Sequence, residues 1–334
     1  TRTISSAASD VYKRQAVYTP VEQDDLLDFL QQYDLGDVIA FNGIAEGVEN
    51  SNFFLETDRG RYILTLYEKR VDPSDLPFFI GLMDHLADSG ILCPRPIPAN
   101  NGEQLSELNG RSAAIVSYLT GLSPQRPKVP HCSELGRALA SVHRAGADFS
   151  LKRPNALSVA GWQTLVEACI DRADEVMPHL SDSMQAELDD IVANWPSDLP
   201  AGVIHADLFP DNVFFIGEKF SGMIDFYFAC NDALAYDLAI CMNAWCFERD
   251  NSFNITKAKA LLTAYESVRP FTQAERSALP LLARGACMRF FLTRLYDWLN
   301  HPPGALVTPK NPMEYWQKLR FHQGIRSLGA YGLD

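Results

Sequence analysis

Near the middle of the chain, His205-Ala206-Asp207-Leu208-Phe209-Pro210-Asp211-Asn212 places an acid, Asp207, five residues before an amide, Asn212. A second acid, Asp225, closes the segment Phe220-Ser221-Gly222-Met223-Ile224-Asp225. Val203-Ile204 reads as a short apolar strand ending at His205, and residues 213–216 and 220–224 read as a hairpin turning at Gly217-Glu218-Lys219. Asn212 stands before its outgoing strand and Asp225 after its returning one, so an in-register pairing sets them opposite each other at the open end. Asp207 lies on the loop feeding that end. The chemistry that uses such a set is phosphoryl transfer. A hard Mg²⁺ ion takes oxygen ligands, one or two from protein and the rest from phosphate and water, which suits Asn212 and Asp225. An acceptor hydroxyl needs a carboxylate to take its proton, which suits Asp207. His205 is expected to brace the loop through its ring nitrogens. Singly, each acid or amide is an ordinary turn residue; together with the strand, loop and hairpin they form a pattern that turns alone do not produce.

The elements that must position these residues are legible in outline. Thr19-Pro20-Val21-Glu22 resembles a capping box opening a helix to about Gln32. Two strands, 52–57 and 62–67, flank Asp58-Arg59-Gly60, and a second pair surrounds Asn109-Gly110 with 112–119 outgoing. Between them the apolar spacing of 76–87 predicts a helix that stops at Ser89-Gly90. Beyond Gly121 the periodicity predicts helices over 133–145, 162–177, 183–195, 235–247, 256–268 and 272–299, interrupted only by a strand-rich island at 203–229. The expected fold class is therefore α+β and two-lobed: a small antiparallel β-rich lobe over 16–118 and a larger, mainly helical lobe over 119–334. Residues 116–121 read as the connector. Residues 1–15, Ser/Thr-rich and without an apolar stretch, read as a non-native or disordered extension, with a transit peptide as the weaker alternative.

Composition narrows the function classes. The 334 residues carry 29 Lys and Arg against 42 Asp and Glu, a formal net charge of −13. That excess argues against a nucleic-acid partner, which demands clustered cations, but not against a nucleotide held locally with a metal. No apolar run approaches the ~20 residues that span a bilayer. The 7 cysteines lack metal-finger or paired spacing and read as buried thiols of a reducing cytoplasm.

The H-x-D-x-x-x-x-N run followed by Ile224-Asp225-Phe226 resembles the aminoglycoside/choline-kinase-type family of protein-kinase-like small-molecule kinases. The resemblance implies a protein-kinase-like fold, ATP and Mg²⁺ as cofactors, Asp207 as catalytic acid–base residue and Asn212 and Asp225 as metal ligands. Asp237, in Ala235-Tyr236-Asp237-Leu238, matches an acid that braces the catalytic loop; a helix-start carboxylate favoured by the dipole explains it equally well. Leu139-Ala140-Ser141-Val142-His143 resembles a family helix, with His143 read as a packed structural histidine. One branch fits best. Glu46-Gly47-Val48-Glu49-Asn50-Ser51-Asn52-Phe53, Tyr62-Ile63-Leu64-Thr65-Leu66-Tyr67-Glu68-Lys69-Arg70, Arg284-Gly285-Ala286 and Thr293-Arg294-Leu295-Tyr296-Asp297-Trp298 look like the bacterial homoserine kinases of this kinase-like type. That branch implies transfer of the ATP γ-phosphoryl group to the L-homoserine hydroxyl, a step of threonine biosynthesis. Nucleotide contacts are then expected from Gly47, Asn50, Ser51 and Lys69 and from the connector residues Ser117 and Leu119. Acceptor contacts are expected from Asp211 and from Arg289, since a guanidinium grips a carboxylate with two donors; Arg294 of the same helix is the second candidate.

The chain departs from the family pattern at several points: residues 43–52 are spaced more loosely than a protein-kinase Gly-rich loop, and the usual acidic helix partner is not evident near Phe78-Phe79. The strand position where a phosphate-binding lysine is expected is Thr65, and Lys69 and Arg70 follow it; a solvated strand end accounts for that pair as well. No Walker-A loop occurs. Other acceptors of the same fold (choline, ethanolamine, an aminoglycoside), a non-catalytic nucleotide-binding regulator and a metal-dependent hydrolase are the alternatives that the sequence leaves open.

Overall fold

The computed structural model describes residues 19–44, 50–68, 72–301 and 309–333. The expected extension at 1–15, Gly47 and Lys69 lie outside them. The chain divides into two compact units between Thr120 and Gly121.

The first unit is an antiparallel sheet in the order β1-β2-β3-β5-β4, with strands β1 (Val38–Gly43), β2 (Asn50–Thr57), β3 (Gly60–Tyr67), β4 (Ser106–Leu108) and β5 (Arg111–Ser117). The β2–β3 hairpin turns through Asp58-Arg59, pairing Thr57 with Gly60. The β4–β5 turn uses Asn109 and Gly110 at φ 52° and 71°, the left-handed pair that matches strand twist in a two-residue loop. Alternation along β2 and β3 buries Leu55, Leu64 and Leu66, which pack with Ile115 and with Leu26 and Phe29 of helix α1 (Gln23–Leu30). That helix starts later than its sequence suggests. Glu22, not Thr19, is its N-cap and makes no side-chain cap. The Thr19 N–H instead donates to Ser51 Oγ at 3.1 Å. Helix α2 (Leu76–Asp88) ends where expected: Gly90 takes φ 81°, and Ile91 N–H reaches Leu86 O at 3.0 Å, closing a Schellman turn.

The second unit holds helices α3 (Val129–Ala145), α4 (Val159–Cys169), α5 (Leu180–Asn194), α6 (Leu234–Trp245), α7 (Ile255–Val268), α8 (Gln273–Leu299) and α9 (Met313–Gln323). Two short antiparallel ribbons complete it: β6 (Ala201–Ile204) with β9 (Cys230–Ala233), and β7 (Val213–Ile216) with β8 (Lys219–Met223). Two expectations change in detail. The predicted helix over 162–177 is α4 followed by a 3₁₀ segment, Ile170–Glu175. Neither β9 nor α9 follows from periodicity. Helix α8 begins with a capping box, in which Thr272 Oγ1 accepts from Glu275 N–H while Glu275 accepts from Thr272 N–H. Helices α3 and α7 touch closely because Gly136 has no side chain; a Cβ there would lie 2.2 Å from Leu261 O. This approach brings His143 of α3 against Tyr265 of α7, with ring centroids 5.6 Å apart. All seven cysteines are buried free thiols. Among the described residues no helix is long and apolar enough to cross a membrane.

Candidate active site

Strand β6 ends at Ile204, and the chain then enters a loop whose backbone is held from the surrounding helices. Ala206 sits at φ 63°, a left-handed conformation that costs a non-glycine residue roughly 1–2 kcal/mol. Three contacts hold it there. Asp237 of α6, fully buried, accepts from His205 N–H at 2.8 Å through Oδ2 and from Ala206 N–H at 2.9 Å through Oδ1. Arg289 of α8 donates through Nη1 to Ala206 O.

Asp237 is itself positioned from α3. His143 Nε2 lies 3.1 Å from Asp237 Oδ2, and its Nδ1 lies 2.7 Å from the Tyr265 hydroxyl of α7. Arg269 Nη1 donates to that hydroxyl at 3.2 Å and to Glu275 at 2.8 Å. One arrangement satisfies every atom: Tyr265 O–H donates to His143 Nδ1, and His143 Nε2–H donates to the carboxylate. Burial alone would push the Asp237 carboxyl up, but the hydrogen bond from His143, with help from the His205 backbone N–H, holds it below the ordinary value. His143 is therefore more than packing: it is a direct ligand of the loop-bracing carboxylate.

His205 is buried, and burial holds its ring below the ordinary pKa against the pull of Asp237. Its Nε2–H donates to Ile224 O at 2.9 Å, and Nδ1 accepts from Asp207 N–H at 3.3 Å. Both nitrogens are thus engaged with backbone, one as donor and one as acceptor, which is the neutral tautomer.

Asp207 follows. Its carbonyl accepts from Asn212 Nδ2 at 2.9 Å, and its carboxyl lies 3.4 Å from the same amide nitrogen. Enclosure by protein pushes the carboxyl up to about 8. Arg289 opposes that rise, Asp225 and Asp211 add to it, and Lys310 lowers it slightly. An acid raised this way is poised to exchange a proton near neutrality. With Nδ2 turned inward to the loop, the Asn212 side chain has its oxygen left to offer.

The β7–β8 ladder reaches Asn212, whose carbonyl accepts from Ile224 N–H at 2.9 Å. The residue facing Asn212 is thus Ile224, and Asp225 comes one step later, at φ 67°. One amide oxygen and one carboxylate suit a cation that completes its shell with phosphate and water, as Mg²⁺ does. Among the described residues no group of three or more His, Cys, Asp or Glu is arranged to hold a metal. Asp211 is exposed, and its carbonyl accepts from Ser123 Oγ at 3.0 Å. Arg289, expected on an acceptor, is 2% exposed and spends a nitrogen on Ala206. Its guanidinium stacks 4.6 Å from the Phe290 ring centre.

Of the nucleotide contacts expected in the first unit, Asn50, Ser51, Ser117 and Leu119 lie among the described residues. Ser51 donates through Oγ to Glu68 Oε1 at 2.6 Å, and Asn50 Oδ1 accepts from Glu68 N–H at 3.3 Å. Glu68 in turn pairs with Arg111 at 3.1 Å. Asn50 and Ser51 are buried in that cluster. Thr65, at the expected lysine position, is buried and donates to Asn52 Oδ1 at 2.8 Å. Ser117 Oγ accepts from Arg95 N–H at 2.9 Å, and Leu119 is half-buried. Sequence reasoning missed the Glu68 cluster, Tyr265 and Arg269; the only signal for the last two was helical spacing on α7.

The profile of the phosphotransferase enzyme family (APH) matches residues 40–271. A homoserine kinase of Afipia carboxidovorans is 62% identical over 318 residues, spanning 95% of this chain and 98% of that protein. A homoserine kinase of Parvibaculum lavamentivorans is 63% identical over 319 residues, spanning 96% and 99%. Among solved structures, amicoumacin kinase hAmiN in complex with AMP-PNP, Ca²⁺ and Ami superposes with a TM-score of 0.67 at 12% identity, covering 96% of this chain and 95% of that one. Choline kinase from Cryptosporidium parvum superposes at 0.63 and 15% identity, covering 97% and 99%. The last two establish the protein-kinase-like fold, while the profile and the two sequence relatives place the chain in the APH phosphotransferase enzyme family.

Proposed function

We propose that this chain transfers the γ-phosphoryl group of ATP to the side-chain hydroxyl of L-homoserine, giving O-phospho-L-homoserine for threonine biosynthesis in the cytoplasm. The observation that carries the reaction type is the placement of Asp207, a half-buried carboxyl on a loop whose backbone is pinned on both sides of the acid by Asp237, Arg289 and Asn212. The substrate is supported by identity above 60% with two homoserine kinases over nearly their whole length.

In this reading Asp207, when ionised, accepts the hydroxyl proton as the oxygen takes up the phosphoryl group, and orients that oxygen beforehand. Asn212 Oδ1 and Asp225 would hold Mg²⁺, which when bound neutralises charge on the nucleotide phosphates. Asn212 also acts through its Nδ2, which ties the metal-side residue to the Asp207 carbonyl at 2.9 Å and fixes acid and ligand in one frame. Asp237 and Arg289 hold the Ala206 turn that presents Asp207, and the neutral His205 locks the loop onto the β8 end. Asp211 is retained as an acceptor-side carboxylate, exposed and next to Asn212.

A coupled ADP-release assay with L-homoserine, choline, ethanolamine and kanamycin tests the proposal. ADP release dependent on L-homoserine and Mg²⁺, at kcat/KM at least about a hundredfold above the other acceptors, is expected. Preferred turnover of another acceptor would replace the substrate, and no turnover with any of them would leave a nucleotide-binding protein.

A further inference from the structure

An amino-acid acceptor brings an α-carboxylate, and holding it beside an enclosed acid requires a cation. The four arginines of α8 are committed elsewhere: Arg276 pairs with Glu266, and Arg284 with Glu187 and Asp190. Arg289 is buried between Ala206 O and the rings of Phe290 and Phe228, 4.6 Å and 5.5 Å away. Arg294 pairs with Glu314 at 2.8 Å and covers the Tyr315 ring at 4.5 Å. Lys318 of α9 is bound to the same Glu314 at 2.7 Å and to Asn243 O at 3.2 Å.

Lys310 is different. It is exposed and has no carboxylate partner among the described residues. Its ammonium lies 5.9 Å from the centre of the Phe209 ring, and Phe209 stands two residues after Asp207 in the catalytic loop. The ring is fixed in place: Phe209 packs on Phe290 at 4.9 Å, and Phe290 on Tyr315 of α9 at 5.2 Å. The backbone beside Lys310 is fixed as well. Asn311 O accepts from Arg294 at 3.4 Å, and Asn311 Oδ1 accepts from Met313 N–H at 2.9 Å, at the start of α9. A pinned stretch of chain thus presents an uncommitted cation over an aromatic floor that continues into the catalytic loop. Lys310 is also close enough for its charge to act on Asp207.

We propose that Lys310 is a specificity-determining residue that takes the α-carboxylate of the acceptor, setting the acceptor's hydroxyl toward Asp207. This rests on the reading of the chain as a kinase of an amino-acid alcohol, and it assigns the carboxylate to a lysine outside the motif-bearing segments.

The test compares kcat/KM for L-homoserine and for 3-aminopropan-1-ol, the same amino alcohol without the carboxylate, in the wild type, Lys310→Ala and Lys310→Arg. In Lys310→Ala the preference for L-homoserine is expected to fall at least about tenfold, through a raised KM for L-homoserine with the KM for ATP within about twofold. Lys310→Arg is expected to recover most of that preference. An unchanged preference would overturn the assignment. So would a raised KM for ATP in place of that for L-homoserine, which would put the charge on a nucleotide phosphate. A wild type that turns over neither amino alcohol but does turn over choline or kanamycin would instead remove the functional reading on which the inference stands.

Discussion

Each unit of this chain contains a buried carboxylate surrounded by donors, and the two are used in opposite ways. In the first unit Glu68 gathers Ser51 Oγ at 2.6 Å and Arg111 at 3.1 Å. The side chains there tie strand ends together. In the second unit Asp237 gathers the backbone N–H groups of His205 and Ala206, with His143 behind it. That carboxylate spends its acceptors on a loop turn, and the result is a neighbouring acid, Asp207, held in a fixed place. The first network joins strand residues to one another, whereas the second presents a half-buried carboxyl and an amide oxygen. Burying a charge in a hydrogen-bonded network therefore marks function only when the network presents a further group.

Breaking the second network should cost activity, and breaking the first should cost mainly stability. The largest effect is expected for Asp225→Ala. Turnover should fall at least about a thousandfold and Mg²⁺-dependent nucleotide binding should be lost; a wild-type Mg²⁺ titration by calorimetry would contradict its place at the metal. Asp237→Asn comes next. An amide cannot accept from three donors as the carboxylate does, so kcat should drop roughly a hundredfold and stability by roughly 3 kcal/mol. Full activity with lowered stability would mean that the loop holds its shape without Asp237.

The raised carboxyl of Asp207 adds a pH signature. Below about pH 4 both the folded and the unfolded chain keep this proton. Between the ordinary value of 3.8 and about 8 only the folded state keeps it, and above that neither does. The folded state binds more protons across that window, so this residue makes the protein progressively less stable as pH rises through it. Asp207→Asn, which cannot ionise, should therefore gain in Tm relative to the wild type from about pH 4 to about 8, by several degrees, and then level off. A constant Tm difference in metal-free and nucleotide-free protein would show that the carboxyl is not held up. The smallest effect is expected for Ser51→Ala: roughly 1–2 kcal/mol of stability lost with its bond to Glu68, and a KM for ATP within about threefold. A tenfold rise in that KM would make the first network part of the nucleotide site.

The same contrast explains what was legible in the sequence. The catalytic loop and its hairpin lie within 203–225, so adjacent residues carry the acid, the amide, the second acid and the strands that present them. The links to His143 and Tyr265 span 94 and 122 residues. The Tyr265 link exists because α3 and α7 approach at Gly136, which periodicity cannot reveal. Helix α9 escapes detection because it buries Lys318 and His322 in place of apolar residues; His322 is held between the Tyr331 hydroxyl and Asn243 Oδ1, both at 2.7 Å. Strand β9, Cys-Asn-Asp-Ala, lacks the alternation of a half-buried strand. The capping box read at Thr19 fails because Ser51, far away in sequence, competes for the Thr19 N–H. Asn50 and Ser51 meet Glu68 by different routes, Asn50 Oδ1 accepting from its backbone N–H and Ser51 Oγ donating to its carboxylate.

Side-by-side rates and ATP affinities for the wild type and Asp207→Asn, with L-homoserine as acceptor, test the central claim most directly. Asp207→Asn should lose at least about a thousandfold in kcat while its Kd for Mg²⁺·ATP stays within about threefold. Homoserine phosphorylation within about tenfold of the wild type would contradict the assignment of Asp207 as the residue that takes the proton.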